Sequence, residues 1–167
     1  MNNPFDLTGK RILVTGASSG IGRSVAIECS KMGAEMILLG RNEDRLQETL
    51  ELLSKQVNHQ YFSMDLSGDA DFEVLRETLS NCNLDGLVNC AGIIDRKPLN
   101  FIKKDRFHNL MDINVLSTLD FVKFLKRNKF LKSESSIVFI SSVAKDYAAL
   151  GNIMYMSSKG AVNTMIS

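Results

Sequence analysis

The 167 residues of this chain are 44% apolar and 23% charged, an ordinary balance for one globular domain with a single buried core. The 20 basic and 19 acidic side chains leave a net charge of +1, which gives no electrostatic case for nucleic acid or an anionic membrane as the main partner. No apolar run reaches the roughly 18–20 residues of a membrane helix, and the first residues lack the pattern of a signal peptide.

Short apolar runs alternate with longer amphipathic segments along the chain. The short runs predict five strands, at residues 11–14, 35–39, 61–64, 87–89 and 137–140. Helical spacing predicts helices at residues 20–32, 46–53, 72–79, about 107–124, and from near 155 onward. Strands separated by helices of this length imply parallel crossovers. We therefore predict one α/β domain over residues 1–167, a doubly wound parallel sheet with helices on both faces.

The three cysteines, Cys29, Cys82 and Cys90, are odd in number and have no C-x-x-C spacing. This pattern favours neither a disulfide framework nor a zinc site. We expect free thiols in a reducing cytoplasm and no metal site.

A glycine-rich turn separates the first predicted strand from the first predicted helix. An open α/β sheet binds a dinucleotide at this point, because glycines let the backbone approach a pyrophosphate and the helix N-terminus attracts anions. The spacing is G-x-x-x-G-x-G rather than the commoner G-x-G-x-x-G, and by itself such a turn could be a flexible loop. The predicted cofactor contacts in this turn are Gly16, Ser18, Ser19, Gly20, Ile21 and Gly22.

The end of the second strand indicates which nucleotide is bound. NAD sites usually carry a carboxylate there, whereas an arginine suits the 2′-phosphate of NADP. Here the strand ends at Gly40 and Arg41, and Arg41 offers a planar charged fork that matches a phosphate. The pattern favours NADP, although Arg41 could be a surface residue and Glu43 or Asp44 could reach the ribose instead.

Two further strand ends supply candidate cofactor contacts. Asp65, followed by Leu66, is placed after the third strand to accept a hydrogen bond from the adenine amino group. After the fourth strand, Asn89 is followed by the small residues Ala91 and Gly92, which would let the backbone approach the adenosine ribose.

Tyr155 and Lys159 are four residues apart and share one face of the last predicted helix. A phenol has a pKa of about 10, and a nearby ammonium lowers it toward the range useful for proton transfer. Such a tyrosine can protonate a carbonyl oxygen that accepts hydride, or deprotonate an alcohol. The same spacing also arises by chance.

Two more polar residues are candidates for the same centre. Ser142 follows the fifth strand and could hydrogen-bond the substrate oxygen, or could cap a helix or loop. Asn114 lies within the long predicted helix and could hold a water that connects Lys159 to bulk solvent, or could face solvent.

Together these motifs resemble the short-chain dehydrogenase/reductase family over essentially the whole chain. The resemblance implies a Rossmann fold in which Tyr155 is the proton donor or acceptor. Lys159 holds the nicotinamide ribose hydroxyls and lowers the tyrosine pKa, Ser142 orients the substrate, and Asn114 completes a proton relay. Gly40 falls where NAD-using members carry Asp. The chain looks most like 3-oxoacyl-carrier-protein reductases.

The chain departs from the family pattern at two points. Cys90 stands in the segment usually written N-N-A-G, and family members usually continue for two more strands. We therefore expect a C-terminally incomplete chain with a bare sheet edge, marginal stability and little turnover. The resemblance also implies a homodimer or homotetramer for the full-length protein.

The expected activity is hydride transfer between NADP(H) and a carbonyl or alcohol such as a 3-oxoacyl thioester, a sugar or a small ketone. We expect a small-molecule partner and neither nucleic acid nor membrane. Two alternatives stay open on the same fold. One is a non-catalytic nucleotide sensor or scaffold, which would not need Tyr155 and Lys159. The other is an epimerase or dehydratase that retains its nicotinamide.

Overall fold

A computed structural model describes residues 3–68, 70–80, 82–147 and 149–165. In this part of the chain five parallel strands form one sheet in the order β3-β2-β1-β4-β5. The order reverses between β1 and β4, which confirms the predicted doubly wound α/β sheet. The strands are β1 (Arg11–Thr15), β2 (Glu35–Gly40), β3 (Gln60–Ser63), β4 (Leu84–Asn89) and β5 (Leu131–Phe139).

Within the described residues, six α-helices connect or follow these strands. They are α1 (Gly20–Lys31), α2 (Glu43–Glu51), α3 (Arg76–Leu79), α4 (Lys104–Met111), α5 (Ser117–Arg127) and α6 (Ile153–Thr164). No helix of the described residues is both long and apolar enough to cross a lipid bilayer.

Three predicted helices differ from the structure by more than their first turn. The long helix is interrupted by a π-helical segment, Asp112–Leu116, that joins α4 to α5. The helix predicted over residues 72–79 is a 3-10 turn, Phe72–Leu75, followed by the single turn of α3. Leu53 lies beyond the end of α2, yet it is buried. The apolar spacing correctly predicted that Leu53 is buried. It did not predict where α2 ends, because the end of a helix depends on backbone hydrogen bonds and not on apolar spacing.

The centre of the sheet is buried on both faces. Ile37 and Leu39 of β2 pack in a cluster with Phe121 of α5, whereas Leu38 packs on the opposite face with Leu46 of α2. This explains why β2 is a continuous apolar run rather than an alternating one. The strand register aligns Thr15 with Leu39 and Asn89, so the carboxyl ends of the central strands form one edge.

Strand β5 pairs with β4 alone among the described residues and forms one border of the sheet. Its Val138 side chain is exposed. The expected marginal stability of the chain stays a prediction.

Candidate dinucleotide site and catalytic centre

A cavity of about 530 Å³ opens at the carboxyl ends of β1, β2 and β4. An open parallel sheet binds ligands at such an edge, where the strand order reverses. Among the predicted cofactor contacts, those that line it are Gly16, Ser18, Ser19, Gly20, Ile21, Gly22, Arg41, Asp65, Leu66, Ala91 and Gly92. The structure therefore brings together the glycine turn and three later strand ends.

The glycine turn leaves no room for side chains at two positions. A Cβ on Gly22 would lie 2.4 Å from the carbonyl oxygen of Gly16, and a Cβ on Gly16 would lie 2.9 Å from the nitrogen of Ala91. Gly16 and Gly20 also have φ angles of 66° and 54°, in the left-handed region that favours glycine. The turn thus packs directly against the backbone that follows β4.

The N-terminus of α1 opens toward the cavity. The N-cap residue, Ser19, makes no side-chain capping hydrogen bond, and Ser19, Gly20 and Ile21 all line the cavity. The first amides of a helix carry partial positive charge, and a pyrophosphate can accept hydrogen bonds from them. A cradle that excludes side chains, next to such a helix end, fits a dinucleotide.

Arginines lie at the β2 end of the cavity. Arg41 and Arg45 both line it, and Arg41 Nη1 is 3.7 Å from Asp65 Oδ2. Arg45, in the first turn of α2, was missed in the sequence analysis, although it lies only four residues after Arg41. Its amide is fixed by Asn42, whose side chain caps α2 by accepting from that nitrogen at 2.8 Å.

The carboxylate of Asp65 is held by its neighbours. Asp65 Oδ1 accepts from Ser67 N at 3.0 Å and from Ser67 Oγ at 2.8 Å. Partial burial acts to raise the pKa of Asp65, but the hydrogen bonds from Ser67 and the charge of Arg41 outweigh it, so the pKa lies below its ordinary value. Asp65 therefore keeps its charge beside Arg41.

The acidic alternatives of the sequence analysis lie outside the cavity lining. Tyr61 on β3 donates from its hydroxyl to Glu43 Oε1 at 3.4 Å. Neither Glu43 nor Asp44 is among the residues that line the cavity.

A buried polar network joins the ends of β1 and β4. Thr15 Oγ1 donates to Asn89 Oδ1 at 2.7 Å and accepts from Ala91 N at 3.1 Å. Asn89 Nδ2 donates to Thr118 Oγ1 at 2.8 Å. Asn89 thus lies below the cavity and does not line it. It contacts Thr15, which in turn holds the cavity-lining residue Ala91. Thr15 and Thr118 were missed, although a polar residue at the end of a buried strand is a signal that could have found Thr15.

Asn114 lies in the π-helical segment and is buried, so the solvent-facing alternative for it was wrong. Its Oδ1 accepts from Ile93 N at 2.8 Å, and its Nδ2 donates to Ile93 O at 3.0 Å and to Ser158 Oγ at 2.9 Å. A Cβ on Gly92 would lie 3.2 Å from this Oδ1. The asparagine therefore joins the loop after β4 to α6.

Lys159 is 7% exposed, and its Nζ donates to the carbonyl oxygen of Ile140 at 2.7 Å. The same Nζ lies 5.9 Å from the ring centroid of Tyr155, one turn earlier on α6. It is also 3.8 Å from the position that a Cβ on Gly92 would take, so it lies just behind the cavity wall. The structure thus brings Tyr155, Lys159 and Asn114 to one side of the cavity.

Burial dominates the electrostatics of Lys159 and Cys90. It lowers the pKa of the Lys159 ammonium, and the nearby Cys90 opposes that shift. It raises the pKa of the Cys90 thiol to about 11, and here Lys159 opposes the shift. The proximity of Cys90 and Lys159 was not predicted, because 69 residues separate them along the chain.

Ser142 follows β5 and begins a 3-10 turn, Val143–Lys145. Its Oγ accepts from Ala144 N at 3.1 Å. Ser142 therefore caps this turn, as one of the two alternatives in the sequence analysis predicted. A hydroxyl that accepts in this way can still donate its own hydrogen. Capping and substrate contact are therefore compatible.

These features are typical of a dinucleotide-binding α/β protein: a parallel sheet whose strand order reverses, a glycine cradle at the reversal, and a buried lysine behind it. A family model described as short chain dehydrogenase matches residues 10–167. The chain belongs to the short chain dehydrogenase family.

Curated relatives with assigned reactions are similar over nearly all of this chain. The 3-ketodihydrosphingosine reductase of Bos taurus is 32% identical over 95% of this chain and 50% of its own length. The L-xylulose reductase of Caenorhabditis elegans is 33% identical over 95% of this chain and 64% of its own. The gluconate 5-dehydrogenase of Gluconobacter oxydans is 32% identical over 99% and 66%. The chain thus spans half to two-thirds of the length of these relatives.

Solved structures share the fold. A short chain dehydrogenase from Escherichia coli CFT073 complexed with NADPH superimposes with a TM-score of 0.84 at 29% identity, over 98% of this chain and 71% of its own. One from Shigella flexneri complexed with NADP gives 0.83 at 30% identity, over 95% and 70%. None of these relatives is named a 3-oxoacyl-carrier-protein reductase, so that resemblance stays a prediction.

Proposed function

We propose that the protein to which this chain belongs transfers hydride between NADP(H) and a ketone or secondary alcohol. The observation that carries this proposal is the buried ammonium of Lys159, held by Ile140 between the Tyr155 ring and the cavity wall at Gly92. A buried, pKa-shifted group beside a nucleotide-sized cleft is typical of a catalytic centre.

Different residues of the cavity would bind different parts of the proposed cofactor. The amides of Ser19, Gly20 and Ile21 would bind the pyrophosphate, and Asp65 would accept from the adenine amino group. The loop at Gly92 would lie against the adenosine ribose, on the same wall that covers Lys159. When bound, this cofactor supplies or accepts the hydride.

The β2 end of the cavity favours NADP over NAD. Gly40 leaves no carboxylate at the strand tip, and a Cβ there would meet Leu46 Cδ2 at 3.3 Å and Ser18 Cβ at 3.4 Å. Arg41 and Arg45 offer two permanent charges for a 2′-phosphate. Asp65 neutralises part of the Arg41 charge, yet at 3.7 Å and on the exposed surface this ion pair is weak enough for a phosphate to compete.

Tyr155 is the proposed proton donor and acceptor at the substrate oxygen. The Lys159 ammonium would stabilise the phenolate formed when the proton leaves and would hold the nicotinamide ribose hydroxyls. Ser142 would donate its hydroxyl hydrogen to the substrate oxygen. Asn114 would act through its hydrogen bonds to Ile93 and Ser158. These bonds would position the loop at Gly92 and helix α6 around Lys159.

The names of the relatives support a ketone or secondary alcohol as the reacting group. The 3-ketodihydrosphingosine reductase and the L-xylulose reductase are named for ketones. We propose a ketone or the matching secondary alcohol for this protein. A 3-oxoacyl thioester belongs to that class and is one of the compounds to assay.

The first test is a fluorescence titration of the 167-residue chain with NADPH and with NADH. We expect tighter binding of NADPH, and we expect Arg41→Ala to remove most of that preference. The matched control is Arg127→Ala, which removes an exposed arginine outside the cavity lining. A preference for NADH would refute the assignment of NADP.

The second test separates catalysis from binding. In the full-length protein, Tyr155→Phe should bind NADPH nearly as tightly as the unmodified protein, while turnover of ketones falls by about 10²-fold or more. The assay should include a 3-oxoacyl thioester, a ketose and a long-chain 3-ketone. Full biological function in the Tyr155→Phe protein would instead indicate a nucleotide sensor.

A further inference from the structure

Two neighbouring loops expose large apolar side chains beside the proposed catalytic centre. The 3-10 turn Leu99–Phe101 leaves Leu99 70% and Phe101 69% exposed. Leu150, in the loop before α6, is 97% exposed. We call these three residues the apolar lip. Scattered exposed leucines are common, but clustered ones at a functional edge indicate a contact surface.

The two loops that carry the apolar lip are held together through their backbones. Lys97 N donates to the carbonyl oxygen of Gly151 at 2.8 Å. A Cβ on Gly151 would lie 3.4 Å from the carbonyl carbon of Lys97, and its φ of 74° favours glycine. Leu150 and the turn that carries Leu99 and Phe101 therefore flank one backbone contact.

The segment that carries Leu99 and Phe101 is rich in positive charge. Residues 95–106 contain five basic and two acidic side chains, a net charge of +3, whereas the other 15 basic and 17 acidic residues sum to −2. Asp95 is paired with Arg106. Among the described residues, no carboxylate pairs with Arg96, Lys97, Lys103 or Lys104. The near-zero charge of the whole chain conceals this local excess.

The lip adjoins the route to the catalytic centre. Ile94 lines the nucleotide cavity and is itself exposed, and it lies a few residues before the turn at Leu99. On the other side, Leu150 precedes α6, the helix that carries Tyr155 and Lys159. The lip thus lies between a cavity-lining residue, Ile94, and the start of the helix that carries Tyr155.

We propose that the apolar lip and its basic border dock onto an anionic lipid bilayer, and that the substrate is a ketone or alcohol of a membrane lipid. Exposed leucine and phenylalanine can enter the acyl boundary, while flanking lysines bind anionic headgroups. A second copy of this chain is a poorer occupant, because a twofold contact would place each +3 segment against its equal. The substrate part of this inference rests on the proposed function.

Co-sedimentation with lipid vesicles tests the docking. We expect the 167-residue chain to bind phosphatidylcholine vesicles that contain roughly one-third phosphatidylserine at least about tenfold more tightly than pure phosphatidylcholine vesicles. The double variant Leu99→Asp/Phe101→Asp should lose most of this binding. Its control is Val74→Asp, which places a charge on an equally exposed apolar residue of a different 3-10 turn.

A charge variant keeps the test valid if the lip variant is poorly folded. Lys103→Glu/Lys104→Glu should weaken anionic-vesicle binding by at least about tenfold, because each basic residue near the surface contributes roughly fivefold. Glutamate at the start of α4 favours the helix, so folding should be preserved. The control is Lys55→Glu, at an exposed lysine in the turn that follows α2.

The same preparations should be titrated with NADPH, which makes the two proposals separable. Vesicle binding with no nucleotide binding would count against the proposed cofactor site in this chain and leave the docking surface intact. Equal binding to both kinds of vesicle, or no effect of either lip or charge variant, would overturn the docking proposal. Loss of an oligomer in the lip variant, without vesicle binding, would assign the surface to self-association instead.

Discussion

Lys159 Nζ donates to the carbonyl oxygen of Ile140 at 2.7 Å, which ties the ammonium of α6 to the first residue beyond β5. An ammonium that is largely removed from water costs stability unless its partners compensate, and its pKa falls accordingly. The position of this lysine therefore has a measurable consequence at alkaline pH.

Lys159→Met should change how stability depends on pH. The native pKa lies below the ordinary value of 10.5, so the unfolded chain binds more protons between those two values. The free energy of unfolding of the unmodified chain should therefore rise, relative to Lys159→Met, as pH increases toward 10.5. Urea unfolding over this range measures it, with the exposed Lys31→Met as control. Parallel pH profiles would contradict the buried-ammonium interpretation.

Cys90 should react slowly with iodoacetamide although it lines the cavity. Its pKa of about 11, against an ordinary 9.0, leaves roughly a hundredfold less thiolate at pH 8. The native rate should keep rising tenfold per pH unit past pH 9, where the rate of the guanidinium-unfolded chain levels off. Mass spectrometry of the Cys90 peptide reports both rates. A native rate that levels near 9 would show that burial does not shift this thiol.

Gly22→Ala and Gly160→Ala should have opposite effects on stability. The new methyl at position 22 would lie 2.4 Å from Gly16 O, so the turn must shift, at a cost of about 1–3 kcal/mol or more. At position 160, inside α6, nothing lies within 4 Å, and alanine should stabilise by about 0.5–1 kcal/mol. Denaturant unfolding measures both, and NADPH binding should be lost in Gly22→Ala alone.

Thr15→Val should be strongly destabilising although its shape is conserved. It would leave Asn89 Oδ1 and Ala91 N without their buried partner, which costs about 2–4 kcal/mol. Thr164→Val removes an exposed hydroxyl that bonds within α6 and should change stability by less than about 0.5 kcal/mol. Equal losses from urea unfolding of the two variants would mean that the network at β1 and β4 contributes little.

Asp65→Asn should strengthen the preference for NADPH over NADH. The substitution keeps an acceptor oxygen for adenine but removes the negative charge 3.7 Å from Arg41. The freed guanidinium should bind a 2′-phosphate roughly two- to fivefold more tightly, as is typical of an exposed charge pair. Competitive titration with both nucleotides gives the ratio. An unchanged ratio would place the 2′-phosphate away from Arg41.

Local patterns predicted most of the fold. The five apolar runs became the five strands, and β1 and β2 are apolar almost throughout because they are buried on both faces of the sheet. The glycine turn was recognisable because its chemistry depends on consecutive residues. Boundaries were less accurate: α6 begins at Ile153 rather than near Tyr155, and the π-helical segment at Asp112–Leu116 has no signature in apolar spacing.

The sequence by itself determined which residues are candidates for the chemistry, since Tyr155 and Lys159 share a helix face and Gly16 and Gly22 share a turn. Only the tertiary structure decided what those residues touch. Asn114 reaches Ile93 and Ser158, 21 and 44 residues away, and Lys159 meets Ile140 and lies near Cys90. These contacts depend on how the helices pack on the sheet. That packing is set by the free energy of the whole core, which no local spacing of residues predicts.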